Sequence, residues 1–158
     1  MALLLSVLCL FLGIAPDARA LDVSSVTAKS NEDGGNGILA DTPTRVTMES
    51  TVSEGEDLAA MTVVFPTGSN LSQTEVVATV LEGLNRIDAN ETVEKTGDTT
   101  MSISFAEPLA AGTLIRLEFY TTSLPAGSVS LSGEYTTSDG TVNKISAPES
   151  IEVTATGI

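Results

Sequence analysis

The run from Thr99 to Thr137 alternates apolar and polar residues in three successive stretches. Met101, Ile103 and Phe105 interleave with Ser102, Ser104 and Ala106. Leu114, Leu117 and Phe119 mark the second stretch, and Val129, Leu131, Gly133 and Tyr135 the third. Side chains alternate across a strand, so a period of two places one face on a core and the other in water. Three consecutive strands are expected. The joining segments, Glu107–Gly112 and Leu124–Gly127, each carry Pro, then small residues, then Gly. Pro lacks a ladder donor and Gly accepts positive φ, so both segments are expected to end strands.

The remaining chain supplies further strands. Thr44–Val52 alternates through Val46 and Met48, and Leu58–Phe65 is an apolar run stopped by Pro66-Thr67-Gly68. These two form a hairpin or face each other across two sheets. Ser72–Leu84 is ambiguous. Ser72-Gln73-Thr74-Glu75 fits a helix capping box, and Val76, Val77, Val80, Leu81 and Leu84 follow at helical spacing. The β-branched Val76, Val77, Thr79 and Val80 favour a strand, which the neighbouring turn signals support. Ser138-Asp139-Gly140 is a hairpin turn signal. Thr141–Ile145 returns, and Ser150–Thr156 alternates as a final strand. The expected core is Val46, Met48, Met61, Val63, Phe65, Val80, Ile103, Phe105, Leu114, Leu117, Phe119, Leu131, Tyr135, Ile151 and Val153.

The N-terminus has a different pattern. Ala2–Ala15 is almost wholly apolar and is followed by Ala18-Arg19-Ala20, an A-x-A motif. This is the layout of a signal peptide over residues 1–20, with cleavage after Ala20. It departs from the usual layout in having no Lys or Arg before the apolar run. A membrane anchor is the alternative, but the run is shorter than the roughly 20 residues a spanning helix needs. Leu8 before Cys9 is not small, which argues against a lipidation site. Cleavage would leave no Cys, and an exported chain without disulfides suits a bacterial envelope. Residues 21–40 read as a lead-in and linker: Leu21–Lys29 is a short strand or extended segment, and Ser30–Gly37 is Gly-rich and polar. Asn31, Glu32, Asp33 and Asn36 lack the register of a Ca²⁺ loop. The globular domain is placed at 41–158.

With 158 residues, one domain is expected after processing. The formal charge of −14 argues against nucleic acid and against direct membrane binding by the mature domain, since both need clustered Lys and Arg. His is absent, which removes Ser-His-Asp and Cys-His systems and the His-ligated zinc and copper sites. Glu54, Glu56 and Asp57 share one turn, with no partner at the separation that glycoside hydrolysis needs. No catalytic, cofactor or metal residue is assigned, and no cofactor is expected. Tyr120 breaks phase with Phe119 and is a candidate exposed ring. With no Trp and few aromatics, a sugar-binding face is disfavoured. Asn70-Leu71-Ser72 and Asn90-Glu91-Thr92 match the glycosylation sequon, which matters only in a eukaryotic source.

About seven to nine short strands, with turn signals roughly every 8–12 residues, point to an antiparallel β-sandwich. The runs ISFAEPLAAGTLIRLEFY and LPAGSVSLSGEYTTSDGT resemble bacterial extracellular immunoglobulin-like domains, in which a Pro- and Gly-bearing loop joins two strands and a G-x-Y strand follows. The resemblance covers Asp41–Thr156 and lacks the Cys…Trp…Cys hallmark of antibody domains. It implies a sandwich and an envelope or extracellular setting, and no activity of its own. The expectation is an exported, non-enzymatic domain with a structural or interaction role toward a protein partner, either free or as the N-terminal extracellular part of an anchored protein. An exposed edge strand would serve strand addition. The alternative is a Ca²⁺-dependent or ligand-binding adhesin-type module, with Glu54, Glu56, Asp57 and Asp139 converging at one end.

Overall fold

The computed structural model describes residues 21–30, 37–146 and 149–155. The expected signal peptide and the Asn31–Asn36 loop lie outside the described residues. In chain order the first strands are β1 Leu21–Ser30, β2 Ile38–Leu39, β3 Thr44–Val52, β4 Leu58–Val64, β5 Glu75–Glu82, β6 Asn85–Ile87 and β7 Glu91–Gly97. They are followed by β8 Thr100–Leu109, β9 Leu114–Thr122, β10 Gly127–Val129, β11 Ser132–Thr136, β12 Val142–Ser146 and β13 Ile151–Thr154. Thirteen strands among the described residues replace the expected seven to nine: the Val129–Tyr135 run divides between two sheets, and the short β2 and β6 add to the count.

Two five-stranded sheets form the sandwich, ordered β1-β3-β9-β5-β6 and β12-β11-β4-β8-β7, and a three-stranded sheet β10-β13-β2 joins them. All pairings are antiparallel except β13 with β2, which is parallel. β3 and β4 therefore face each other across two sheets rather than forming a hairpin. β3 buries Thr44, Val46, Met48, Ser50 and Val52 in strict alternation. Opposite them on β9 lie Phe119, Leu117 and Ile115. The other sheet contributes Met61 and Val63, Met101, Ile103 and Phe105, and Tyr135. Phe65 meets Phe119 edge to face with ring centres 5.1 Å apart. Each such side chain removed from water stabilises by about 1.5–3 kcal/mol.

Four expectations change. Ile115, not Leu114, points inward: the register Val46–Phe119, Met48–Leu117, Ser50–Ile115 sets β9's phase and turns Leu114 outward. The stretch from Val129 to Tyr135 is two strands, since Ser128 pairs with Glu152 while Glu134 pairs with Thr62. β8 continues through Pro108 to Leu109. Its pairing jumps from Ala60–Ser104 to Leu58–Leu109, so residues 105–108 bulge opposite Ala59, where the missing N–H of Pro is tolerated. The supposed lead-in supplies β1, paired with β3 along nine registered positions, and β2. Among the described residues the first strand of the sandwich runs from Leu21, with Leu21 and Val26 both 3% exposed.

The ambiguous segment is a strand. β5 lies against β9 with Ala78 opposite Leu117 and Val80 opposite Ile115. Ala78 and Val80 point inward, while Val77 and Leu84 are exposed. A helix would lose this ladder and strand the unpaired edge of β9. The turn at Glu82–Asn85 falls where its residues predict, with Gly83 at φ 60°.

Candidate functional site

The four acids named from sequence do not converge. Asp57, just before β4, accepts hydrogen bonds from the Ser138 hydroxyl and from the Ser138 N–H at 2.8 Å. Asp139 accepts from the Thr137 hydroxyl and from the Thr141 N–H at 2.9 Å. Gly140 completes that turn at φ 87°, donating to the Thr137 carbonyl at 3.0 Å. These carboxylates staple the β11–β12 turn to itself and to the β3–β4 turn. Glu54 and Glu56 share that turn without joining them. Among the described residues, no three acidic, His or Cys side chains are grouped to hold a metal.

The staples are pH-sensitive. The Ser138 hydroxyl and then its amide hold Asp57 below the ordinary carboxylate value. The Thr137 hydroxyl and the Thr141 amide hold Asp139 at about 2, down from 3.8. Both folded values lie below the unfolded one. The contribution is therefore complete above about pH 4 and is lost as pH falls through the folded values. Thermal melts at pH 5, 3.5 and 2 are expected to fall in that order, and D139N to have the shallower slope. A parallel wild-type and D139N profile would rule out this staple as the acid-sensitive element.

Tyr120 lies next to the inward Phe119 on β9 and is half-buried. The Arg45 guanidinium carbon lies 5.8 Å from its ring centre. Arg45 also reaches Glu118 at 4.0 Å, and Arg116 grips Glu49 through Nη2 at 2.7 Å and Nε at 2.9 Å. This packing makes Tyr120 part of a mixed-charge sheet face rather than a bare platform. Of the sequon residues, Asn70 is exposed and accepts from the Ser72 N–H at 2.9 Å. Asn90 is exposed at φ 45°, its N–H bonded to Asp88 at 3.0 Å.

The feature that sequence reading did not locate lies where β5, β6 and β7 meet. β6 is three residues long and pairs only with Val80, Leu81 and Glu82. From Glu75 to Thr79 the outer edge of β5 has no strand beside it among the described residues. After Ile87 the chain leaves this sheet, turns through Asp88–Asn90 and enters the other sheet as β7. A cleft of about 470 Å³ opens there, lined by Ala78, Val80, Arg86, Ile87, Asp88 and Glu91. Ala78 and Val80 are its buried floor, and Arg86 and Asp88 are exposed on its rim. A smaller hollow of about 240 Å³ on the far side of the connector shares Ile87 and Asp88. The β-branched run Glu75–Thr79 carried the strand signal, but nothing local to it announced an uncovered edge.

No family model matches the sequence, and no curated protein matches it. Solved structures do match its shape. An uncharacterized protein from Nocardia farcinica, described as having an immunoglobulin-like fold, aligns with a TM-score of 0.53 at 20% identity, over 82% of this chain and 98% of that one. The chain has an immunoglobulin-like fold. BslA, a bacterial hydrophobin, aligns with a TM-score of 0.54 at 15% identity, over 90% of this chain and 100% of that one. A DUF4466 family protein from Parabacteroides merdae gives 0.51 at 16% identity over 82% of this chain. The aligned part is 46% of that longer protein, so this chain spans under half of its length. At these identities the likeness concerns architecture. The cleft and edge of this immunoglobulin-like sandwich are read from its own residues.

Proposed function

We propose that this chain is an exported, non-enzymatic domain of the cell envelope or cell surface, with a structural role exercised through contact with another protein. The observation that carries the reading is the uncovered edge of β5 beside an aliphatic-floored cleft. Such an edge offers backbone donors and acceptors to an incoming strand. The cleft's ionisable residues are one guanidinium and two carboxylates, Asp88 and Glu91, at an opening rather than around a dry cavity. That arrangement suits docking rather than turnover. The apolar run before Ala18-Arg19-Ala20 supports export. The hydrophobin of the same architecture supports a surface setting.

Fractionation of the native cells tests this, with intact mass and N-terminal sequencing of the protein recovered. The expected result is a chain beginning at Leu21 in the envelope or medium. A chain beginning at Met1 and confined to the cytosol would overturn the proposal.

A further inference from the structure

Sheets end in edges, and natural proteins protect exposed edges with charge, Pro, bulges or cover. The edges of this sandwich can be compared one by one. β1 carries a bulge between Val23 and Ser25, and the Ser24 hydroxyl there donates to the Glu49 carbonyl at 3.1 Å. β1 also lies against β2, β12 and β13, which closes that side of the sandwich. β7 carries Glu91, Glu94 and Lys95 among its seven residues. Its Glu91 and Lys95 stand opposite Phe105 and Met101, on the inward side of the sheet, where a charge opposes further pairing. β12 is short and carries Lys144. The outer edge of β5 over Glu75–Thr79, sequence EVVAT, is the least protected, with Glu75 at its start as its one charge. It contains no Pro, no Lys and no bulge, and three of its five residues are Val76, Val77 and Ala78.

We propose that this edge receives an extended strand from a second protein, one alternating aliphatic with Lys or Arg side chains. The inference rests on the interaction role proposed above and specifies its site and partner. Pairing beside β5 would satisfy the open backbone groups of Glu75–Thr79. Alternate side chains of the guest would then enter the cleft over Ala78, Val80 and Ile87. The guest's sign follows from the surroundings. Glu75 lies on the edge itself, and Asp88 and Glu91 border the cleft, against the single cation Arg86. The chain as a whole carries −14. Complementary charge steers encounter and rejects like-charged partners. For the same reason a second copy is a poor occupant, since two −14 chains repel.

The probes are two ten-residue peptides, one alternating valine with lysine and one alternating valine with glutamate, added to the whole protein. Binding is read by fluorescence anisotropy and the site by amide hydrogen exchange. In the free protein, alternate amides of Glu75–Thr79 are expected to exchange fast. The valine–lysine peptide is expected to slow them and to bind at least about tenfold more tightly than the valine–glutamate peptide. D88N/E91Q keeps side-chain volume and the Asp88 acceptor oxygen for the Asn90 N–H while removing both charges, and is expected to weaken the lysine peptide by about tenfold. V77K places a protecting charge on the edge and is expected to abolish the exchange protection. Binding of the lysine peptide without protection at Glu75–Thr79 would overturn the site. Equal binding of both peptides would overturn the partner's charge. A dimer of the free protein that protects the same amides would assign the edge to a second copy instead. None of these results bears on where the protein is found in the cell, so failure here leaves the envelope assignment to its own test.

Discussion

G133A is expected to destabilise the fold by at least about 3 kcal/mol, a fall in melting temperature on the order of 10 °C. Gly133 sits within β11 between β4 and β12, opposite Val63 on one side and Ile145 on the other. Its φ is 149°, a backbone conformation that residues with a Cβ rarely adopt. An added Cβ would fall 1.8 Å from the Thr62 carbonyl oxygen and 2.9 Å from its carbon. These are backbone atoms held in a ladder, so they cannot rotate away as a flexible side chain would. The variant must separate β11 from β4 or break the local pairing, which also disturbs Tyr135 two residues on, 2% exposed in the core. Urea unfolding of both proteins measures the difference. A loss below about 1 kcal/mol would mean that the two strands are free to move apart. By contrast, no atom lies close to the Cβ position of Gly55 or Gly112, and substitution there tests positive φ alone.

The second large effect belongs to Phe119. F119A is expected to cost about 3–5 kcal/mol, because it removes a fully buried ring from the centre of the sandwich and the surrounding ladders limit collapse into the space. Phe119 is registered with Val46 on one side and Val76 on the other, and meets Phe65 of the facing layer at 79° between ring planes. A double-mutant cycle with F65A is expected to return a coupling of about 0.5–1.5 kcal/mol for the edge-to-face pair. Y120A, one residue along on the opposite face, serves as the control. Its ring is half-buried under Arg45, and its loss is expected to stay within about 1 kcal/mol. If F119A and Y120A cost the same, β9 would not have the orientation described.

That contrast between Phe119 and Tyr120 was legible in the sequence, since they are adjacent residues on a strand and must face opposite ways. The same reasoning located Met48, Met61, Met101 and Ile103 in the core, where all are at most 4% exposed. It failed at Leu114. Leu114 lies three residues before Leu117 and so cannot share its face; counting back in twos from Phe119 and Leu117 reaches Ile115, the residue that the ladder with β3 places inward. The acidic turn around Asp57 was visible as a cluster of carboxylates. Its use was not visible, because Ser138 lies 81 residues away in sequence and meets it only once β11 pairs with β4 in one sheet.

The sequence by itself determined that the chain folds into strands, where most of them lie, which faces are apolar and which residue types are missing. These are properties of composition, of neighbours two residues apart and of turn residues, so they survive without knowledge of the fold. Pairing is different. Whether β4 sits beside β3 or across from it, whether residues 21–30 join a sheet, and how Val129 and Tyr135 come to lie in separate sheets all depend on residues far apart in the chain. The uncovered edge of β5 belongs to this second kind. It exists because β6 ends after Ile87 and the chain crosses to the other sheet, leaving Glu75–Thr79 with backbone groups on one side and no strand to meet them among the described residues.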